Sequence, residues 1–115
     1  MITSQQRGQA AEDRACEYLQ AQGFQLITRN YRLRGGEIDL IGHDNECLVL
    51  VEVRYRHSEQ FGGALQSIDF RKQQRIIRTA QHYLMHYPVD LPCRFDVIAL
   101  DQAQQITWIK NAFET

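Results

Sequence analysis

Gly36-Glu37-Ile38-Asp39-Leu40-Ile41 and, a few residues later, Leu50-Val51-Glu52-Val53-Arg54-Tyr55-Arg56 place carboxylates inside runs that otherwise read as buried strands. Strand side chains alternate between faces, so Asp39 shares a face with Ile41, and Glu52 shares one with Leu50. An isolated carboxylate is costly on such a face. Between the strands, His43-Asp44-Asn45-Glu46 has turn composition. A turn centred on Asp44 and Asn45 sets Asp39 opposite Leu50 and Glu52 opposite Glu37. Asp39 and Glu52 then become diagonal neighbours, close enough to share a hard divalent cation. Glu37 beside them has three readings: metal ligand, salt-bridge partner or turn residue.

Outward from this pair, the chain divides into alternating helical and extended segments. Ser4 to Gln22 is rich in Ala, Gln, Glu and Arg and lacks proline, which predicts a helix capped at Ser4 and stopped at Gly23. On its wheel Glu12 lies in the arc of Ala15, Cys16 and Leu19, the one inward-facing acid of this helix. Phe24 to Tyr31 reads as a strand and Arg32 to Gly36 as a turn, with a third strand from Cys47 to Tyr55. A looser stretch, Arg56 to Gln66, carries Gly62-Gly63. A second helix is predicted from a cap at Asp69 to Tyr87, ended by Pro88, with an apolar stripe of Ile76, Ile77, Ala80, Tyr83, Leu84 and Tyr87. Arg94 to Leu100 and Gln105 to Ile109 are the last strands, and Asp96 inside the first of them is expected to serve an ion pair or hydrogen bonds. The order of helix, three strands, helix and two strands predicts one α/β domain over residues 1–115, a mixed sheet covered by helices, with short flexible ends.

Composition narrows the classes of function. The 115 residues are 43% apolar, enough for one core without disulfides, and the formal charge is -1, so no global basicity announces nucleic acid. Local basicity does appear: Arg29, Arg32 and Arg34; Arg54, Arg56 and His57; and Arg71, Lys72, Arg75 and Arg78. Cys16, Cys47 and Cys93 are odd in number and widely spaced, which speaks for reduced thiols, interior or half-buried, and against structural zinc. His82 and His86 lack a third ligand nearby in sequence. No apolar export segment opens the chain and no stretch is long enough to span a bilayer, so a soluble cytoplasmic protein is expected.

Phosphodiester hydrolysis would use such residues, because it needs a cation that orients water and neutralises phosphate oxygens. Asp39 and Glu52 would ligate the metal with the carbonyl of Val53, and Glu12 would hold water on the metal or a second ion. Arg54, two residues beyond Glu52 and on its face, would brace the scissile phosphate. Oxygen ligands favour Mg2+, with Mn2+ as substitute.

The ordered set Gly8, Glu12, Asn30-Tyr31-Arg32, Gly36 to Ile41, Val51 to Arg56, Phe61-Gly62, Lys72 and Arg94-Phe95-Asp96-Val97 resembles the PD-(D/E)xK nuclease superfamily. More closely, it resembles the YraN-type family of small bacterial proteins taken to be endonucleases and related in fold to Holliday junction resolvases. The likeness runs from about Gly8 to Ile109. It implies a restriction-endonuclease-like mixed β-sheet flanked by helices, an Mg2+-dependent nuclease acting on DNA, branched DNA included, and a homodimer like its resolvase-like relatives. By the same resemblance Asp39 and Glu52 match the metal-binding acids, Glu12 the helix acid, and Arg54 the position usually held by lysine. Arginine keeps the charge and adds a bidentate fork, but it does not give up a proton. Arg32, Arg34, Arg56, Lys72 and Arg75 are the candidate substrate contacts, and Lys72 has two readings, approach to the site from the second helix or contact with a more distant phosphate. RNA stays open as a substrate, as do a non-catalytic nucleic-acid-binding module on a nuclease fold and a protein-interaction surface on the second helix.

Overall fold

Five strands form one mixed sheet in the order β1-β2-β3-β4-β5 in a computed structural model that describes residues 3–55 and 68–114. The elements are α1 (Ser4–Ala21), β1 (Gln25–Leu33), β2 (Gly36–Asp44), β3 (Cys47–Tyr55), α2 (Phe70–His86), β4 (Cys93–Leu100) and β5 (Ile106–Phe113). Every pairing is antiparallel except β3 with β4, whose parallel run needs the crossover that contains α2. The predicted element order and the α/β sheet flanked by helices are what the structure shows. Arg56, His57, Phe61 and Gly62-Gly63 lie outside the described residues.

The two helices cover opposite faces. Ala11, Ala15, Cys16 and Leu19 of α1 pack with Leu40, Val49, Val51 and Ile98, while Ile76, Ile77, Ala80 and Tyr83 of α2 pack with Ile41, Leu48, Leu50 and Val97. Among the described residues no helix is long and apolar enough to cross a membrane.

Several boundaries differ from the sequence expectation, each for a local reason. Thr3 caps α1 in place of Ser4: its hydroxyl accepts from the Gln6 amide at 3.1 Å and its own amide donates to Gln6 Oε1 at 2.9 Å. The β2–β3 turn is Asn45-Glu46, one residue later than expected, because Asp44 stays in the strand, paired with Cys47. The Asp44 carboxylate accepts from Arg94 at 2.7 Å, and Asn45 takes the left-handed conformation the turn needs (φ 57). Leu40 then faces Val51, and the ladder extended one step sets Asp39 across from Glu52, not Leu50. Tyr87 leaves the apolar stripe and is exposed, whereas Thr79, absent from the expected stripe, is buried. Cys93 is exposed, not interior.

The final strand runs to Phe113, beyond the expected Ile109, because Asp96 anchors it. The Asp96 carboxylate is 1% exposed as a residue and accepts from Arg94, from Trp108 Nε1 at 2.8 Å and from the Asn111 amide at 2.9 Å. Phe113 then stacks on Phe95 with centroids 5.0 Å apart. The expectation of an ion-paired, hydrogen-bonded Asp96 holds.

Close packing of α2 on β2 depends on Gly36. A Cβ there would collide with Thr79 Oγ1 and come within 3.2 Å of the Arg75 carbonyl. Gly36→Ala is therefore expected to destabilise the fold by about 1–3 kcal/mol in urea denaturation, with part of the loss recovered in the Gly36→Ala/Thr79→Ala double variant. An unchanged midpoint would mean that α2 does not rest on this contact.

Candidate active site

Regular alternation fails around Asp39 in β2. Leu40 packs on the α1 side and Ile38 on the α2 side, although residues two apart on a strand share a face. The partner strand turns over with it: Arg29, opposite Leu40, reaches α1, whereas Tyr31, opposite Ile38, packs edge-on against Tyr83 of α2. Between them Asn30 has φ 55. Asp39 thus sits where the β1–β2 ribbon rolls from one face to the other, within reach of both helices.

That position explains its surroundings. Asp39 Oδ2 accepts from the Val53 amide at 2.8 Å, a side-chain bond where the β2–β3 ladder would continue. Carboxylate oxygens of Glu12, from α1, and Glu37, from β2, lie within 4.8 Å of each other and of Asp39. Burial first, then the neighbouring charge of Glu52, pushes the Asp39 carboxyl up from 3.8 to about 8, against the lowering effect of the Val53 bond. Glu12 also meets Arg29 at 3.5 Å, while Glu37 meets Arg32 at 3.3 Å. Among the described residues this is the one group of three or more potential ligands, and its oxygen-only donors suit a hard divalent cation.

Glu52, 6% exposed, has two basic partners: Lys72 Nζ at 2.9 Å, delivered by the first turn of α2, and Arg54 Nη2 at 3.3 Å. Of the two readings of Lys72, the structure shows the approach to the site. Asp69 holds the start of α2 in place by accepting from the Lys72 amide at 2.8 Å. Gly36, Glu37, Asp39, Glu52, Lys72 and Arg75 line a cleft of about 60 Å³. What Val53 presents to Asp39 is its amide. Arg32 is largely exposed beside Glu37, and Arg34 lines a neighbouring, larger cleft with Arg75. Arg56 lies outside the described residues. His82 accepts or donates a 2.7 Å hydrogen bond through Nδ1 with the Tyr31 hydroxyl and stacks on His86, a packing arrangement.

The sequence reading left two features unselected. Arg71 and Arg78, named there in a basic cluster but not as substrate contacts, join Arg34 and Arg75 around the larger cleft. Glu37 joins the acidic group as well as pairing with Arg32, a dual role that the i, i+2 spacing to Asp39 allows but does not select.

Residues 11–100 match the uncharacterised protein family UPF0102. A UPF0102 protein of Janthinobacterium sp. (strain Marseille) is 56% identical over 107 residues, covering 93% of this chain and 86% of the relative. The chain belongs to the UPF0102 family. Further UPF0102 relatives include a protein of Pseudomonas putida (strain GB-1), 52% identical over 113 residues with 93% and 92% of the two chains covered, and one of Dechloromonas aromatica (strain RCB), 50% identical over 111 residues with 96% and 91% covered.

In this UPF0102 chain the raised Asp39 carboxyl ties stability to pH. The folded protein holds a proton that the unfolded chain releases near 3.8, so the stability this proton confers is complete below that pH and lost as pH rises through about 8. In chelator, urea unfolding from pH 5 to 8.5 should show wild type losing stability relative to Asp39→Asn, whose neutral side chain can still accept from Val53. Parallel pH profiles for the two proteins would refute this origin.

Proposed function

We propose that this chain is a metal-dependent nuclease that hydrolyses phosphodiester bonds in DNA, branched DNA included, as a YraN-type member of the PD-(D/E)xK superfamily. The observation that carries the reading is Asp39, a half-buried acid crowded by Glu12, Glu37 and Glu52 and held by a backbone amide, beside a lysine and an arginine. Glu12, Glu37 and Glu52 each have a basic partner, Asp39 has none among the described residues, and Mg2+ or Mn2+ would fit both its charge and the oxygen chemistry of the group. Asp39, Glu12 and Glu37 would hold the metal, with Glu52 beside them. When bound, it would supply Lewis-acid charge against the phosphate.

The remaining steps fall to the chain's own groups. Arg54 offers a fixed charge and a planar fork for a phosphate oxygen but cannot take up a proton. Lys72 brings the lysine that the Glu52-Val53-Arg54 segment lacks, close to the same carboxylate and from another element. In this reading the Lys72 ammonium, paired with Glu52, gives its proton to the leaving oxygen, the proton of the attacking water passes to solvent, and Arg54 and Arg75 steady the phosphate. The protein acts in the cytoplasm, as a homodimer where both strands are cut.

One observation favours a second reading, a DNA-binding accessory protein. Glu52 is already neutralised by Lys72 and Arg54, an arrangement that stands without metal. Cleavage assays on linear and branched DNA with Mg2+ or Mn2+ decide between them. Nuclease function predicts that Asp39→Asn and Lys72→Gln each lower cleavage on the order of 10²–10³-fold with folding retained, and that Arg54→Lys remains active. Salt-sensitive DNA binding by a wild type that cleaves nothing would favour the accessory reading.

Metal affinity carries its own signature. If the cation replaces the Asp39 proton, Mn2+ binding by calorimetry should strengthen from pH 6 to 8 and level off above, with proton release seen as a dependence on buffer ionisation enthalpy. Affinity independent of pH across this window would exclude Asp39 as a ligand.

A further inference from the structure

Beside the acidic cleft lies a second one of about 360 Å³, between the β1–β2 turn and α2, with Arg34, Arg71, Arg75 and Arg78 in its walls. The two clefts share Gly36 and Arg75. Arg71, Arg75 and Arg78 are spaced four and three apart, so they stand in one row on α2, a helix without a single acidic residue. Like charges so spaced repel, and the first turn of a helix favours negative groups, yet Arg71 and Lys72 occupy it. Lys72 is relieved by Glu52. The four arginines of the cleft have no acidic partner among the described residues.

We propose that this cleft seats the phosphate-bearing terminal nucleotide of a nucleic-acid strand, next to the acidic site. The inference rests on the reading of that site as one that handles nucleic acid, and it names the substrate class more narrowly. Its size is that of a small-ligand pocket, large enough for a nucleotide and much larger than a lone anion needs. Its charge is concentrated: a backbone phosphodiester brings one negative charge, whereas a terminal phosphate monoester brings about 1.5 to 2 and three acceptor oxygens. Guanidinium forks bind such oxygens in pairs and stack on a base. A strand end held here lies beside Asp39 and Glu52, so the bond presented to them is one close to the terminus.

The test is binding in EDTA, where no metal-dependent cleavage occurs. A single-stranded oligonucleotide with an internal fluorophore is prepared 5′-phosphorylated, 3′-phosphorylated and unphosphorylated, and affinities are read by anisotropy. One phosphorylated form should bind at least about 10-fold tighter than the unphosphorylated one. That advantage should vanish in Arg71→Gln/Arg78→Gln with helicity unchanged by circular dichroism, and should shrink in Arg34→Gln, which leaves α2 untouched. Equal affinity for all three oligonucleotides, the result expected of a site for internal phosphates alone, overturns the proposal. So does a preference that survives in the double variant. End preference in a protein that never cleaves would sink the nuclease reading and keep this one; Asp39-dependent cleavage without end preference would do the reverse.

Discussion

The arrangement of this protein turns on the roll of the β1–β2 ribbon at Asn30 and Asp39. A regular ribbon would commit Arg29 and Tyr31 to one face, and Ile38 and Leu40 likewise. Instead each pair divides between the two helices. One carboxylate is thereby exposed to groups from both sides of the sheet: Glu12 belongs to α1, Lys72 and Arg75 to α2. The left-handed backbone at Asn30 is what permits the roll, and asparagine tolerates that conformation better than other residues with a side chain, glycine aside.

Two strand aspartates, the buried Asp96 and the half-buried Asp39, differ in how their charge is met. Asp96 is surrounded by donors: a guanidinium, an indole and a backbone amide satisfy its charge, so its burial is compensated and its effect is to anchor β5 to β4. Asp39 has one backbone donor and three acids around it. The same side chain in the same kind of element is thus a charged brace in one place and an acid that holds its proton in the other.

Much of this was legible in the sequence. Element order, the sheet with helices on it, the Asp69 cap, the inward set of Glu12 and the bracing role of Asp96 follow from periodicity, capping chemistry and the cost of buried charge. What was not legible is non-local. The turn at Asn45-Glu46 depends on Arg94, fifty residues away, holding Asp44 in the strand. Because the register error spans two residues in the pairing, it left every face unchanged and altered only who stands across from Asp39. The roll at Asn30 leaves no trace in hydrophobic alternation, since Ile38 and Leu40 are apolar on either face. Thr79 looks like a polar surface position, but its hydroxyl bonds back to the Arg75 carbonyl at 2.8 Å and so fits against Gly36. Among the basic residues, composition could name the clusters, but only the packing of α2 shows that Lys72 turns to Glu52 while its arginine neighbours turn to the adjoining cleft.

The acid-free row of arginines on α2 has a consequence for how ions in solution act on this molecule. Mobile anions gathering around the row shield its like charges from one another. The same ions compete with any polyanion drawn to the cleft and weaken its hold. Ionic strength therefore acts in opposite senses on the row itself and on any polyanion drawn to it.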